Sequence, residues 1–320
     1  MELIRGIHNL HSGHRGCVAT IGNFDGVHLG HQAVLGQLAD KAAELGLPAL
    51  VISFEPHPQE FFAGANAPAR LTRFREKVLM LRRFAVDRML SLRFDTAMSL
   101  RSAEAFISDI LVARLGVRCL IVGDDFRFGH QRRGNLTMLE SAGQEHGFQI
   151  VNMHTFDVDG ERVSSTRIRR ALSQGDLATA DKLLGRPYRM SGRVVHGDGR
   201  GRVIGFPTAN IDLHRKVSPL LGVYAVHVFG LEREPLNAVA NIGLRPTVDG
   251  RRCLLEVHLL GFNEDIYRRH VQVAFLKKLR DEKRFESVDA LKQQIARDVQ
   301  DARICFAGRH DVPSSIVRKG

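Results

Sequence analysis

Gly22 to His31 reads GNFDGVHLGH. It follows a short apolar run, Val18 to Ile21, and precedes a stretch in which Val34, Leu35, Leu38, Ala42 and Leu45 recur on one side of a helix. Gly46 and Pro48 stop that helix. A second apolar run, Ala49 to Phe54, follows at once, so the opening unit reads strand, helix, strand. His28 and His31 fall in the first helical turn, which projects both imidazoles from one face. Unpaired backbone N–H groups and the positive end of the helix dipole favour an anion there, and Gly22, Gly26 and Gly30 let a bulky phosphate approach the backbone. This is the outline of a triphosphate cradle. Two unrelated surface histidines is the plainer reading of an isolated HxxH, and it stays open at this stage. Zinc is disfavoured, because no neighbouring acid or cysteine completes a ligand set. Neither GxxxxGK[ST] nor GxGxxG is present, so any phosphate site here uses another design.

The alternation continues with a helix near Arg75 to Phe84, a strand near Met89 to Leu92, a helix from Ser102 to Leu115 and a strand from Cys119 to Val122. That pattern predicts a parallel α/β sheet. Beyond Gly185 the texture changes to short β-rich runs at Arg189–Val195, Val223–Phe229, Asn237–Ile242, Cys253–Leu260 and Val271–Phe275, punctuated by Gly and Pro. Strands without intervening helices predict an antiparallel barrel or sandwich, closed by one helix around Val288 to Phe306. The expected fold class is therefore α/β plus all-β, with domains at 1–185 and 186–306 and a loose polar tail at 307–320.

The chain has 320 residues, 44% of them hydrophobic, enough for two cores. Lys plus Arg number 46 against 35 Asp plus Glu, a formal net charge of +11 that would attract nucleic acid, acidic membrane or nucleotide phosphates. Aromatic content is 7%, with no Trp and three Tyr, and no basic tract carries interleaved aromatics to stack on bases. Small phosphorylated ligands are the better expectation, with no specific nucleic-acid partner. Cys17, Cys119, Cys253 and Cys305 form no CxxC pair, which predicts neither a disulfide framework nor a zinc cluster and fits a reducing cytoplasm. No signal peptide or membrane span is expected. Oligomerisation is compatible with this composition, and nothing in it specifies one.

Four stretches of the first half carry further signals: TIGNFDGVHLGHQ from Thr20, FEPHP at Phe54–Pro58, VGDDFRFG at Val122–Gly129 and SSTRIR at Ser164–Arg169. Alone, SSTRIR is a hydroxyl helix cap followed by solvated arginines, and Pro56-His57-Pro58 is a rigid turn. Together they resemble the bacterial FAD synthetases, the bifunctional riboflavin kinase/FMN adenylyltransferase family. The resemblance implies a Rossmann-like nucleotidylyltransferase domain that transfers AMP from ATP to the phosphate of FMN, giving FAD and pyrophosphate. It further implies that His28 and His31 hold the triphosphate with Gly22, Phe24 and Gly30, and that Arg162, Ser165, Thr166 and Arg169 close on it. Asp125 and Phe126 would line the FMN side of the cleft.

In the second half, His196 to Asn210 reads HGDGRGRVIGFPTAN. A flexible hairpin loop is the plain reading, and a second phosphate site is the functional one. Gly197, Gly199 and Gly205 free backbone amides for an anion, while Thr208 and Asn210, which follow Pro207 in PTAN, offer neutral oxygens suited to Mg2+ shared with ATP. GVYA from Gly222, NIGLRPT from Asn241, ExHLL from Glu256 and LRDEKRF from Leu279 follow in the order of the riboflavin kinase domain. This extends the resemblance over nearly the whole chain and implies an antiparallel β-barrel with a terminal helix. It also implies that Glu256 accepts the proton of the ribityl hydroxyl; read alone, Glu256 is a polar residue alternating with Leu255 and Val257 on a strand. The family usually reads HLLDF and DLYG where this chain has Gly261 and Arg268. The implied activity is two transfers from ATP, riboflavin to FMN and then FMN to FAD. A flavin- or nucleotide-binding regulator that has lost its chemistry, and a nucleic-acid-binding protein, are the alternatives from other classes.

Overall fold

The computed structural model describes residues 1–197, 199–247 and 250–308. The chain forms two compact units, Met1–Arg167 and Ile168–Gly320. Their division lies inside the helix Ser165–Gln174, upstream of the change in sequence texture near Gly185.

In the first unit six strands, β1 (Glu2–Arg5), β2 (Cys17–Ile21), β3 (Ala49–Glu55), β4 (Arg88–Arg93), β5 (Val117–Gly123) and β6 (Gln149–Met153), form one sheet in the order β1-β4-β3-β2-β5-β6. Every pairing is parallel. All five residues of β2 are buried, as a central parallel strand with both faces covered requires. Alternation then sorts its side chains. Cys17, Ala19 and Ile21 join a core with Phe106, Ile110 and Leu139 on one face, while Val18 joins Leu35, Leu38 and Val78 on the other.

The helix Leu29–Leu45 buries Leu35, Leu38 and Ala42 and ends at Gly46, whose φ of 62° is the left-handed cap expected of glycine. The segment from Ser102 to Leu115 departs from expectation. Ser102 caps a single α-helical turn, and Phe106–Arg114 then winds as a π-helix that buries Phe106, Ile107, Ile110 and Leu111. Sequence reasoning also passed over β1 and β6. Both are edge strands of four or five residues and mix polar with apolar positions, so neither forms a continuous apolar run. A short hairpin, β7 (Asp157–Val158) with β8 (Glu161–Arg162), turns through Asp159 and Gly160 at φ 59° and 72°. Two positive φ values are what a tight Asp-Gly hairpin demands.

In the second unit β9 (Arg189–Val195), β10 (Ala209–Asp212), β11 (Gly222–Phe229), β12 (Leu236–Thr247), β13 (Gly250–Leu259) and β14 (His270–Arg280) close an antiparallel barrel, β10-β13-β12-β11-β14-β9. Tyr224, Ala240, Ile242, Leu255 and Val257 are fully buried. Their strand neighbours Val223, Ala225 and Val239 instead pack with Ala302 and Phe306 of the terminal helix Val288–Ala307. That alternation assigns one set to the barrel interior and the other to its outer wall. β10 was read from sequence as part of a loop; its four residues pair with both β9 and β13 and close the barrel. The terminal helix is capped by Ser287 and ends at Ala307, so the expected tail lies, from residue 309 on, outside the described residues.

Asp298 of this helix is 2% exposed and grips Arg280 with three hydrogen bonds of 2.8 to 3.1 Å. Removing one partner of such a pair strands the other in a poorly solvated place. Asp298→Ala should therefore cost the second unit about 3 kcal/mol, read as a lower denaturant midpoint.

Candidate functional sites

The strand order fixes where the first site lies. From β2 the chain proceeds to β3 and β4 on one side, then returns to β5 on the other, so the carboxyl ends of β2 and β5 diverge into a crevice. A cleft of about 280 Å³ opens there. Thr20, Ile21 and Gly22 enter from β2, Gly123 to Phe126 from β5, Met153 to Phe156 from β6, and Arg162 to Ser165 from beyond the hairpin. Phe24, His28, Gly30 and His31 complete the wall.

His28 is the N-cap of Leu29–Leu45, and its Nδ1 accepts the backbone N–H of His31 at 3.3 Å. An imidazole that accepts at Nδ1 carries its proton, when neutral, on Nε2. The two rings stack with centroids 3.6 Å apart and planes 14° from parallel. Two cations at that separation would repel strongly. Burial first, then His28 and Lys77, hold the His31 imidazole well below its ordinary 6.5. Its Nδ1 is buried with no hydrogen-bond partner among the described residues. A His31 ring held neutral and stacked on His28 at a helix amino end is a setting suited to receiving an anion's oxygens.

Asp25 organises the loop that carries these histidines. Its buried carboxylate accepts from Leu71 N, Thr72 N and Thr72 Oγ1 at 2.8 to 3.1 Å, and Thr72 Oγ1 in turn accepts from Gly26 N at 3.0 Å. Ser165 Oγ donates to the Asp25 carbonyl at 2.9 Å, tying SSTRIR to GNFDGVHLGH. Phe24 and Val27 hold φ of 48° and 41° in this loop, so the polar ties fasten a backbone that bulky residues rarely adopt. Sequence reasoning missed both Asp25 and the buried Lys77, which donates to Ser53 Oγ at 3.3 Å and whose ammonium burial holds below its usual value. Asp25 was legible only as part of the motif; nothing in the spacing of Lys77 marked it.

The other expected residues separate. The Asp-Gly hairpin brings Arg162 to Asp125, Nη1 to Oδ2 at 2.6 Å, which holds the Asp125 carboxyl below the usual range. Both side chains are about half exposed, so water screens much of this attraction. Arg167 secures the hairpin, donating to the carbonyls of Val158 and Glu161 at 3.0 Å. Ser164 caps the next helix by accepting from Arg167 N at 3.2 Å. Thr166 and Arg169 lie on that helix and do not line the cleft. His57 caps the helix Pro58–Ala63 through its Nδ1, an architectural role.

In the second unit three polar residues stand side by side on the outer barrel wall. Asn210 of β10 pairs with Glu256 of β13, and Glu256 pairs with Asn241 of β12. The Gly-rich loop leans on the β10 end of this row. A Cβ on Gly197 would collide with the Asn210 amide, and one on Gly201 would lie 3.0 Å from Thr208 Oγ1 and collide with the Phe206 carbonyl. Gly199 and Gly205 hold φ of 71° and 87°. His258 Nδ1 lies 2.8 Å from the Pro207 carbonyl, an acceptor only, so the ring donates and pins PTAN to β13.

A third cluster has a different use. Glu2, His11 and His14 bring donor atoms within 4.8 Å of one another. Both imidazoles accept backbone N–H groups at Nδ1, from His11 N and Gly13 N at 3.2 Å. Neutral rings so held carry their protons on Nε2, and His14 Nε2 meets Glu2 Oε1 at 3.1 Å. The arrangement is a hydrogen-bonded knot that fastens β1.

A phosphate cleft at a sheet's switch point, joined to a barrel with its own glycine loop and wall carboxylate, defines a two-site nucleotide-dependent transferase. Family models agree on both halves: FAD synthetase matches residues 10–167 and riboflavin kinase residues 184–306. A bifunctional riboflavin kinase/FMN adenylyltransferase of Escherichia coli (strain K12) is 55% identical over 307 residues, covering 96% of this chain and 98% of its own. That of Haemophilus influenzae is 51% identical over 306 residues, covering 96% and 99%. A crystal structure described as a macrolide-efflux protein from Streptococcus pneumoniae matches with a TM-score of 0.81 and 30% identity, covering 95% of this chain and 99% of that one. Among the described residues of the present chain, no helix is long and apolar enough to cross a membrane. The chain belongs to the bifunctional riboflavin kinase/FMN adenylyltransferase family.

Both departures from the family pattern fall at positive φ, 71° for Gly261 and 66° for Arg268. Glycine suits the first. At the second an arginine stands where the family has glycine, a conformation costing a non-glycine residue about 1 kcal/mol. Arg268→Gly should hold or raise the melting midpoint of the second unit; a clear fall would mean the side chain contributes more than its backbone costs. For His31 the sign follows from linkage. Unfolded chain takes up this proton as pH falls through 6.5 while the folded protein does not, so stability present above that pH is lost below it. Melting midpoints between about pH 8 and about pH 5 should fall more steeply for the wild type than for His31→Asn.

Proposed function

We propose that residues 1–185 carry out the adenylyl transfer and residues 186–306 the kinase reaction, each at the site described above. In the first cleft ATP lies with its triphosphate at the amino end of Leu29–Leu45. Gly22, Phe24 and Gly30 shape the seat, and the imidazoles of His28 and His31 donate to phosphate oxygens. The FMN phosphate, entering along Asp125 and Phe126, attacks the α-phosphorus of ATP and pyrophosphate leaves. FMN supplies its own anionic nucleophile, so the protein's task is alignment and stabilisation of charge growing on the leaving group. Arg162 exchanges its exposed tie to Asp125 for a phosphate oxygen, and Ser165 lines the cleft beside it.

At the barrel, Gly197, Gly199, Gly205 and Pro207 frame the phosphates of a second ATP. The terminal ribityl hydroxyl of riboflavin gives its proton to Glu256 as its oxygen attacks the γ-phosphorus, and ADP leaves. Thr208 and Asn210 fit Mg2+: both are neutral hard-oxygen donors, held close to the glycine loop because Gly197 and Gly201 have no side chains to push them away. Bound there, the ion would neutralise phosphate charge. The observation that carries the two-site reading is that the acidic acceptor and the histidine pair belong to different compact units.

Purified protein supplied with riboflavin, ATP and Mg2+ should accumulate FMN and then FAD on separation of the flavins. His28→Ala should stop the sequence at FMN. Glu256→Ala should block FMN formation while FAD still forms from supplied FMN. Loss of both activities in either folded variant would overturn the assignment of one reaction to each site.

A further inference from the structure

We infer that Asn241 is a substrate-binding residue of the kinase site, holding the polyol chain of the flavin on the side of Glu256 away from ATP. The inference rests on the reading of Glu256 as the acceptor of the ribityl proton. Its geometric basis is the register across three strands: Asn210 on β10, Glu256 on β13 and Asn241 on β12 are successive Cα partners, so their side chains leave the same face of the sheet. Glu256 therefore has two flanks, and the surroundings distinguish them.

The β10 flank is built for phosphate. Its glycine loop presses against the neutral side chains of Asn210 and Thr208, which add no negative charge beside the phosphates of the proposed ATP seat. The β12 flank is built otherwise. Gly243 lies two residues beyond Asn241 and so on the same face, and a Cβ at Gly243 would collide with the carboxylate of Glu282. An acid closing that end repels phosphate and accepts hydroxyl donors. Between the two carboxylates stands Asn241, whose Oδ1 is buried without a hydrogen-bond partner among the described residues. A buried carbonyl oxygen left unpaired is costly, so a donor that arrives with substrate gains the full benefit of satisfying it. A carboxamide both accepts and donates, which matches a chain of hydroxyls that also do both, and its terminal torsion is soft enough to turn toward them. ATP offers the β12 flank no comparable donor from its phosphates.

The test measures FMN formation by the full chain, with riboflavin and ATP varied in turn. For Asn241→Ala, kcat/KM for riboflavin should fall about tenfold to a hundredfold while KM for ATP stays within about twofold. Riboflavin analogues lacking single ribityl hydroxyls should locate the partner: with the analogue missing the hydroxyl bound by Asn241, the variant should lose little relative to wild type. Asn241→Ser, which keeps a small donor and acceptor, should recover part of the loss. FAD formation from supplied FMN reports that the first unit is intact, and riboflavin fluorescence quenching reports flavin binding without turnover. An unchanged kcat/KM for riboflavin, or a KM for ATP rising by the same factor, would overturn the inference. Failure of the underlying reading looks different: Glu256→Gln would retain the wild-type rate. If Asn241→Ala fails to fold, the same comparisons on Asn241→Ser decide.

Discussion

Backbone N–H groups left without a partner in helix or sheet must find an acceptor elsewhere, and the loop that carries the histidine pair is fastened by meeting that requirement. In the first unit the amide of His31 is taken by a histidine ring, and the amides of Leu71 and Thr72 by a single buried carboxylate. Satisfying them holds a loop with two non-glycine residues at positive φ against the carboxyl ends of a parallel sheet. Without those acceptors the loop would have little reason to keep its amides and histidines turned toward the crevice. In the barrel the glycines serve closeness instead, letting the loop press directly against Asn210 and Thr208.

Charge is distributed differently from what a net of +11 suggests. The histidine stack carries little charge, because burial and the neighbouring ring and Lys77 hold His31 neutral and two rings 3.6 Å apart cannot both be cations cheaply. The arginine that lines the cleft, Arg162, is already engaged with Asp125. An arriving polyanion therefore meets oriented dipoles first and mobile charge second. Dipoles fixed by the fold need no rearrangement as charge moves along a phosphate chain.

Much of this was legible in the sequence, and for identifiable reasons. Central strands declare themselves as apolar runs, so β2, β3 and β5 were readable, as was the helix stopped by Gly46. The edge strands β1 and β6 bury only part of their surface and lack that signature. β10 was hidden because a strand of four residues next to PTAN looks like loop until its two neighbours are known. The histidine pair stood out by its spacing, whereas the wall glutamate was named only through the family resemblance. Asp25, Lys77 and Asn241 could not be assigned roles, since these depend on residues distant in sequence: Thr72, Ser53 and the register with β13. Thr166 and Arg169 were expected in the cleft because they sit in the same motif as Ser165, but a helix turns successive residues in different directions.

His28 shows how one bond can tie architecture to chemistry. The nitrogen that caps the helix is the one whose occupation fixes where the ring proton sits. Aspartate or serine is the stronger helix cap, yet aspartate would place a negative charge at the seat proposed for the triphosphate, and serine would withdraw the ring altogether. Selection for a more rigid helix start would thus work against turnover at this position. The residue is held at a compromise, and engineering for heat resistance would do better to begin elsewhere in the molecule.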